Sequence, residues 1–351
     1  MGGRDSAVVM GMVVKPQGEK SRILGWGFAV PETVITNDDL ADVVETNDEW
    51  IQKRSGIRER RYADDDQGGA GLAESATRDA IAMAGIEPED IDLVLYATLS
   101  PDIDWPGTAS LLLDRLGVSP KYAMDLRNQC SGFLYGVTIA DQFIRTGGAR
   151  YALVVGAEVH SSGLDYEGKR GRDVTVLFGD GAGAAVVGLS DEADKGLIAF
   201  TLHADGGHAK RLATFGPGAR QKPRIREDQL PPGDPYAYPV MEGRYVFKNA
   251  VEGMAQSIKD VVAEVGMSVK DIDMLLPHQA NLRINQFVTA MLELEESCVA
   301  NNIDRYGNTT AATIPILLSE TAAAGRIQRG DIVCLAAFGA GFTWGAALYR
   351  W

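Results

Sequence analysis

The stretch from Tyr122 to Ala157, YAMDLRNQCSGFLYGVTIADQFIRTGGARYALVVGA, holds two strands and the helix between them. Tyr122–Leu126 is a short apolar run and reads as a strand. A helix follows from about Ser131 to Thr146, and Gly147 and Gly148 terminate it. Tyr151–Ala157 is a second buried strand. Working outward, Ile91–Ala97 reads as another strand, and Gly107–Leu116 as a helix closed by Gly117. Strands alternating with helices imply an α/β fold whose sheets are covered by helices.

The second half repeats this layout. A helix over 243–265 precedes a strand at Ile272–Leu276, then helices over 281–294 and 308–324. Asp331–Phe338 and Thr343–Tyr349 read as closing strands. The likeness of the halves implies an internal duplication, with no residue-level repeat visible. Between them lies a Pro- and charge-rich loop, Gly216–Pro239, of a length that is often functional. Residues 1–20 are small, polar and Gly-rich. They lack the apolar core and cleavage site of a secretory signal, and read as a disordered extension. The expected halves are therefore 21–192 and 193–351.

Of 351 residues, 45% are hydrophobic and 23% charged, which excludes intrinsic disorder and collagen-like structure. Lys plus Arg is 34 and Asp plus Glu 48, giving a formal charge of −14. That balance argues against nucleic-acid or anionic-membrane partners, and no apolar run approaches the roughly 18 residues of a spanning helix. The three cysteines, Cys130, Cys298 and Cys334, form neither a disulfide framework nor a zinc ligand set, so a reducing cytoplasm is expected.

Three positions could carry chemistry. Cys130 lies where a strand runs into a helix; free N–H groups there favour a thiolate, against the bland role of a buried small hydrophobe. Cys334, inside an apolar strand, and Cys298 read as core. His278, in Pro277-His-Gln-Ala-Asn281, stands at a strand's C-terminal end, where α/β proteins place sites. Asn308, in Gly307-Asn-Thr-Thr-Ala-Ala312, is either a helix N-cap or an amide that polarises a carbonyl. His160, His203 and His208 have no context that singles them out. The glycine-rich turns Phe178–Gly183 and Phe338–Gly345 lack the phosphate-binding arrangement and read as close backbone approaches within a sheet.

These strings, in this order, closely resemble the β-ketoacyl-acyl carrier protein synthase III family, joined by Thr46–Ile51 and Arg54–Arg60 nearer the N-terminus. The resemblance covers about Ser21 to the C-terminus, apart from the 216–239 loop. It implies the thiolase fold, two α/β halves in a five-layer α-β-α-β-α core. It implies a Cys130, His278, Asn308 triad: Cys130 takes an acyl group from acyl-CoA, and His278 and Asn308 serve the decarboxylation of malonyl-acyl carrier protein. Backbone N–H groups of Cys130 and of the turn at Ala340 would form the oxyanion site. Trp50 and Arg172 would sandwich the CoA adenine, with Thr46 and Arg54 nearby. Lys248 and Arg283 would receive the carrier protein, and Trp105 would line the primer pocket floor across a dimer interface. A homodimer and no metal or organic cofactor follow from the same resemblance.

The sequence departs from the family at Ala340, which replaces the middle of three glycines, at Gln129, where a small residue is common, at Trp105, and in the longer loop. Rival readings are a ketosynthase-like acyltransferase using a non-carbon acceptor, head-to-head condensation of two acyl thioesters, and a non-catalytic acyl-CoA-binding protein.

Overall fold

Leu93 and Leu95 enter one core while Val94 and Tyr96 enter another. That is the two-residue period of a strand buried on both faces, as parallel strands between helices are. The computed structural model describes residues 12–16, 18–167, 172–220, 222–225, 234 and 236–351. In the first half, β1 (Ser21–Ala29), β2 (Leu93–Ala97), β3 (Tyr122–Leu126), β4 (Tyr151–Glu158) and β5 (Gly181–Leu189) form one sheet in the order β1-β5-β4-β2-β3. Strands β3, β2 and β4 run parallel; β5 and β1 are antiparallel additions.

The second sheet contains β6 (Gly196–Ala204), β7 (Met274–Pro277), β8 (Ile332–Gly339) and β9 (Thr343–Arg350), in the order β7-β8-β9-β6. A parallel bridge from Leu275 to Val299 adds a fifth position beside β7. The sequence of pairings is then that of the first sheet: parallel, parallel, antiparallel, antiparallel. The duplication expected from the layout is thus present in the backbone.

Six principal helices complete the layers. α1 (Gly69–Ala84) and α2 (Thr108–Leu116) bury Leu72, Ala76 and Leu112 against the outer face of the first sheet. α3 (Gly132–Arg145) and α6 (Thr313–Ala323) lie between the sheets, where Phe133, Val137, Ile314 and Leu317 meet side chains of both. α4 (Gly243–Glu264) and α5 (Leu282–Leu292) cover the far side through Met254, Ile258 and Val288. The result is the five-layer α-β-α-β-α core. Among the described residues no helix is long and apolar enough to cross a membrane.

Several expectations change. The helix expected over 308–324 begins only at Thr313, because Asn308 bridges Phe178 and Thr310 is left-handed with φ 47°. The strand expected from Ile272 begins at Met274, after a short turn at Val269–Asp271. Residues 1–11 and 17 of the expected extension lie outside the described residues. Val14, however, exchanges backbone hydrogen bonds with Phe200 at 2.8 and 3.1 Å, and Lys15 pairs with Glu264 at 3.2 Å, so this part is attached to β6 and α4 rather than disordered. The expected break at 192–193 falls in the turn between β5 and β6. The base of the long loop is pinched by a two-residue ladder, Leu212–Ala213 with Val240–Met241.

Candidate active site

Leaving β3, the chain passes Asn128 into a single turn, Gln129–Ser131, and then into α3. Cys130 sits in that turn and is buried. The sequence led us to expect thiolate character here. The structure corrects this: burial pushes the thiol up to about 12, the Glu158 carboxylate adds to the rise, and the backbone N–H groups of Cys130 and Ala340 offset it only in part. Glu158 closes β4 and accepts hydrogen bonds from Thr98 Oγ1, the Leu99 and Ser100 N–H groups and Ser100 Oγ. Its own burial raises it to about 7.

His278 follows β7 directly, and its N–H extends the ladder by donating to the Ala336 carbonyl at 2.8 Å. Its Nδ1 lies 2.7 Å from Thr313 Oγ1, while Nε2 is buried without a hydrogen-bond partner among the described residues. Burial lowers the ring to about 3, so it is neutral at physiological pH. The neighbouring polar residues are structural. Gln279 Oε1 accepts from the Asn302 and Ile303 N–H groups, and Asn281 Oδ1 caps α5 through the Arg283 N–H.

Asn308 is held from both sides. Its N–H donates to the Leu177 carbonyl at 2.8 Å, and its carbonyl accepts from the Gly179 N–H at 3.2 Å. A side chain at Gly179 would meet the Tyr306 carbonyl at 2.3 Å, so the Phe178–Gly183 string is a close-approach clamp for Asn308. Asn308 Oδ1 accepts from the Thr310 N–H at 2.9 Å. With the oxygen so engaged, the side-chain NH₂ is the end left to donate.

Two cavities meet at Cys130. One, of about 640 Å³, is lined by Ser100, His160, Phe178, Thr310 and Ala340, and by loop residues including Leu212 and Pro217. The other, of about 400 Å³, is lined by Trp50, Arg54, His278, Arg283, Asn308 and Phe338. Cys130, Phe178 and Leu212 belong to both. The Cys130 sulfur, a neutral imidazole and an amide donor thus line one connected space; among the described residues no group of three or more His, Cys, Asp or Glu side chains is placed to hold a metal ion.

The structure distributes the remaining sequence-predicted residues unevenly. The Arg172 guanidinium lies 4.2 Å from the Trp50 ring centre and that of Arg54 5.2 Å, so Arg172 occupies the space a stacked base would need and must swing aside to admit one. Thr46 lies outside the lining of both cavities, with its hydroxyl buried and unpartnered. Arg283 lines the mouth of the smaller cavity. Lys248 is exposed on α4, 3.9 Å from Glu252. Arg244, which sequence reading missed, joins Arg54 and Arg283 at that mouth. Trp105 is 79% exposed and lines neither cavity of its own chain; its neighbour Asp104 reaches the larger one and pairs with Arg224 of the long loop. Cys334 is core, as expected, whereas Cys298 is only half-buried, in the short turn Glu296–Cys298.

Comparison with known proteins gives the family. The family description "3-Oxoacyl-[acyl-carrier-protein (ACP)] synthase III" matches residues 124–206, and its C-terminal counterpart matches 262–351. A β-ketoacyl-[acyl-carrier-protein] synthase III of Rhodospirillum centenum is 44% identical over 336 residues, covering 95% of this chain and 99% of the relative. The chain belongs to the β-ketoacyl-acyl carrier protein synthase III family. The crystal structure of the 3-oxoacyl-[acyl-carrier-protein] synthase III from Aquifex aeolicus superposes with a TM-score of 0.85 at 38% identity, over 95% of this chain and all of that one. The priming β-ketosynthase from the R1128 polyketide pathway superposes equally well at 30% identity, over 95% of this chain and 97% of that one.

This membership makes the chain an acyl-transferring condensing enzyme of the synthase III family. The family departure at Ala340 carries no backbone penalty: Gly341, not Ala340, holds the left-handed conformation, at φ 135°. Gln129 does depart, with φ 46° at a non-glycine position.

Proposed function

We propose that the chain takes an acyl group from acyl-CoA onto Cys130 and condenses it with malonyl-acyl carrier protein to a 3-oxoacyl-acyl carrier protein. One observation carries this reading. Cys130 opens to two cavities, and only the smaller also contains His278 and Asn308. The larger cavity then holds the acyl chain, and the smaller admits the thioester arm of each substrate in turn.

In the first half-reaction the Cys130 sulfur bonds to the thioester carbon and the carbon–sulfur bond to CoA breaks. The thiol proton ends on the departing CoA sulfur. The Cys130 and Ala340 N–H groups face the developing oxyanion; one such donor contributes on the order of 10²–10³ in rate. In the second half-reaction the malonyl carboxylate leaves as CO₂ and its electron pair passes into an enolate. His278 Nε2 and the Asn308 NH₂ donate to the enolate oxygen. The enolate carbon attacks the Cys130 thioester, and the released thiolate regains a proton from water. Neutral donors suit this step because they add no fixed charge that would hold the malonyl carboxylate.

The chain works as a homodimer in the cytoplasm, without a metal or organic cofactor. Arg54, Arg244, Arg283 and Lys248 form the local basic patch for an acidic carrier protein on a body of charge −14. Trp105 completes the primer pocket of the opposite subunit.

Mass spectrometry of the intact chain, after an acyl-CoA panel and then malonyl-acyl carrier protein, tests the reading. One acyl adduct on Cys130, absent in Cys130→Ala, followed by CO₂ release and a 3-oxoacyl product, is expected. Acyl transfer to a non-carbon acceptor without CO₂ overturns it.

A further inference from the structure

We propose that Thr313 fixes which nitrogen of His278 carries the ring proton, by donating its own hydroxyl hydrogen to Nδ1. The Thr313 hydroxyl has one hydrogen and two acceptors in reach, His278 Nδ1 at 2.7 Å and the Thr310 carbonyl at 3.0 Å. The Thr310 carbonyl already has a donor, since the Thr313 backbone N–H closes the turn Thr310–Ala312 onto it. Nδ1 has no other partner among the described residues. The shorter contact also has the usual length of a hydroxyl hydrogen bond. Both criteria send the hydrogen to Nδ1.

The consequence lies on the other side of the ring. A neutral imidazole carries one N–H, and burial keeps this one neutral. With Nδ1 accepting, the proton resides on Nε2, the nitrogen that has no hydrogen-bond partner among the described residues. The opposite arrangement would place a lone pair at Nε2, where it repels an enolate oxygen.

Thr313 is buried at the first position of α6 and does not line either cavity. It is a positioning residue that acts through His278. Its place is set by the left-handed Thr310, whose N–H orients Asn308 in the same turn. One turn of chain therefore aims both donors. The catalytic consequence rests on the function proposed above; the tautomer does not.

The test is ¹⁵N NMR of the full chain labelled at histidine, with the His278 ring signals assigned by their loss in His278→Asn. Wild type and Thr313→Ser are expected to show the Nε2–H tautomer. Thr313→Val is expected to shift the ring towards Nδ1–H. It should also slow CO₂ release from malonyl-acyl carrier protein on the order of 100-fold, with Cys130 acylation little changed and Thr313→Ser restoring the rate. An Nδ1–H ring in the wild type, or a pure Nε2–H ring in Thr313→Val, overturns the proposal. The wild-type spectrum decides the matter even if Thr313→Val does not fold. A tautomer that shifts while CO₂ release does not change would uphold the Thr313 assignment and refute the enolate role of His278.

Discussion

Gln129 and Thr310 occupy the same place in the two halves. Each is a non-glycine residue in the left-handed conformation, at φ 46° and 47°, and each opens a one-turn segment that leads into a helix between the sheets. One residue further on, Cys130 corresponds to Ala311. The duplication thus extends to a strained backbone angle, and only one of the twin turns carries the proposed nucleophile.

That strain is testable at Gln129. A β-branched residue is disfavoured at positive φ, whereas glycine adopts it freely. Urea unfolding should show Gln129→Ile less stable by about 1–2 kcal/mol and Gln129→Gly no less stable than wild type. Equal losses in both would mean that the side chain, not the angle, matters.

The buried thiol makes a pH prediction. Because Cys130 is pushed up to about 12, its alkylation by iodoacetamide should climb steadily from pH 7 to pH 10. A plateau below pH 8 would show an activated thiolate in the free enzyme. A steady climb would mean that the substrate carbonyl, rather than the resting protein, draws out the thiolate.

His160 predicts an acid sensitivity. Its Nε2 lies 2.6 Å from Thr310 Oγ1, and burial lowers its ring from 6.5 to about 3, as it does that of His278. Between those values the unfolded chain binds a proton that the native ring refuses. Their contribution is therefore complete above pH 6.5 and is lost as the pH falls towards 3. Glu158 acts in the opposite sense: raised from 4.5 to about 7, its contribution is complete below pH 4.5 and lost as the pH rises through 7. The stability gap between wild type and His160→Leu isolates one ring. It should be constant above pH 7 and shrink by about 1.4 kcal/mol per pH unit below pH 6. A gap unchanged at pH 5 would contradict a buried neutral His160.

The sheet edge predicts the assembly. Tyr122, Ala123 and Asp125 of β3 are exposed at the open edge of the first sheet, and the Thr108 N–H, three residues after the exposed Trp105, donates to Asp125 Oδ1 at 2.9 Å. Strand β4 lies inside the sheet and is covered by its own chain, which leaves β3 as the exposed edge. Sedimentation should give twice the chain mass, and Ala123→Pro, which removes an edge N–H, should weaken the dimer. If Trp105 then bounds the partner's acyl cavity, Trp105→Ala raises the ratio of octanoyl-CoA to acetyl-CoA acylation rates. An unchanged ratio removes Trp105 from that cavity.

Much of this was legible in the sequence, and the parts that were not have physical reasons. Apolar runs such as Leu93–Ala97 announced most interior strands, though β6 and β5, whose start read as a glycine-rich turn, went unnamed; the polar turn residues Cys130, His278 and Asn308 stood out as candidates for the site. Strand β1 was missed because its buried face carries Gly25 and Gly27, where α1 packs so closely that a Cβ would meet the Ala80 and Ala76 carbonyls at 2.2 and 2.4 Å. Packing that tight leaves no hydrophobic signature. The thiol's resting state was misread because position at a helix start is visible in sequence, whereas burial and the distant Glu158 are not. Thr310 and Thr313 passed unnoticed because threonine at a helix start is ordinarily a cap.

The two cavities that share one sulfur also govern traffic. Under the proposed function the acyl tail would stay in the larger chamber, while CoA would leave by the smaller one, which Trp50, Arg54 and Arg283 line. On the same reading the carrier protein's arm would arrive by that doorway. Departing CoA and incoming carrier arm would then compete for a single passage, and steady-state turnover should show free CoA inhibiting competitively against malonyl-acyl carrier protein. Widening the acyl chamber would change which primers are accepted without relieving that queue.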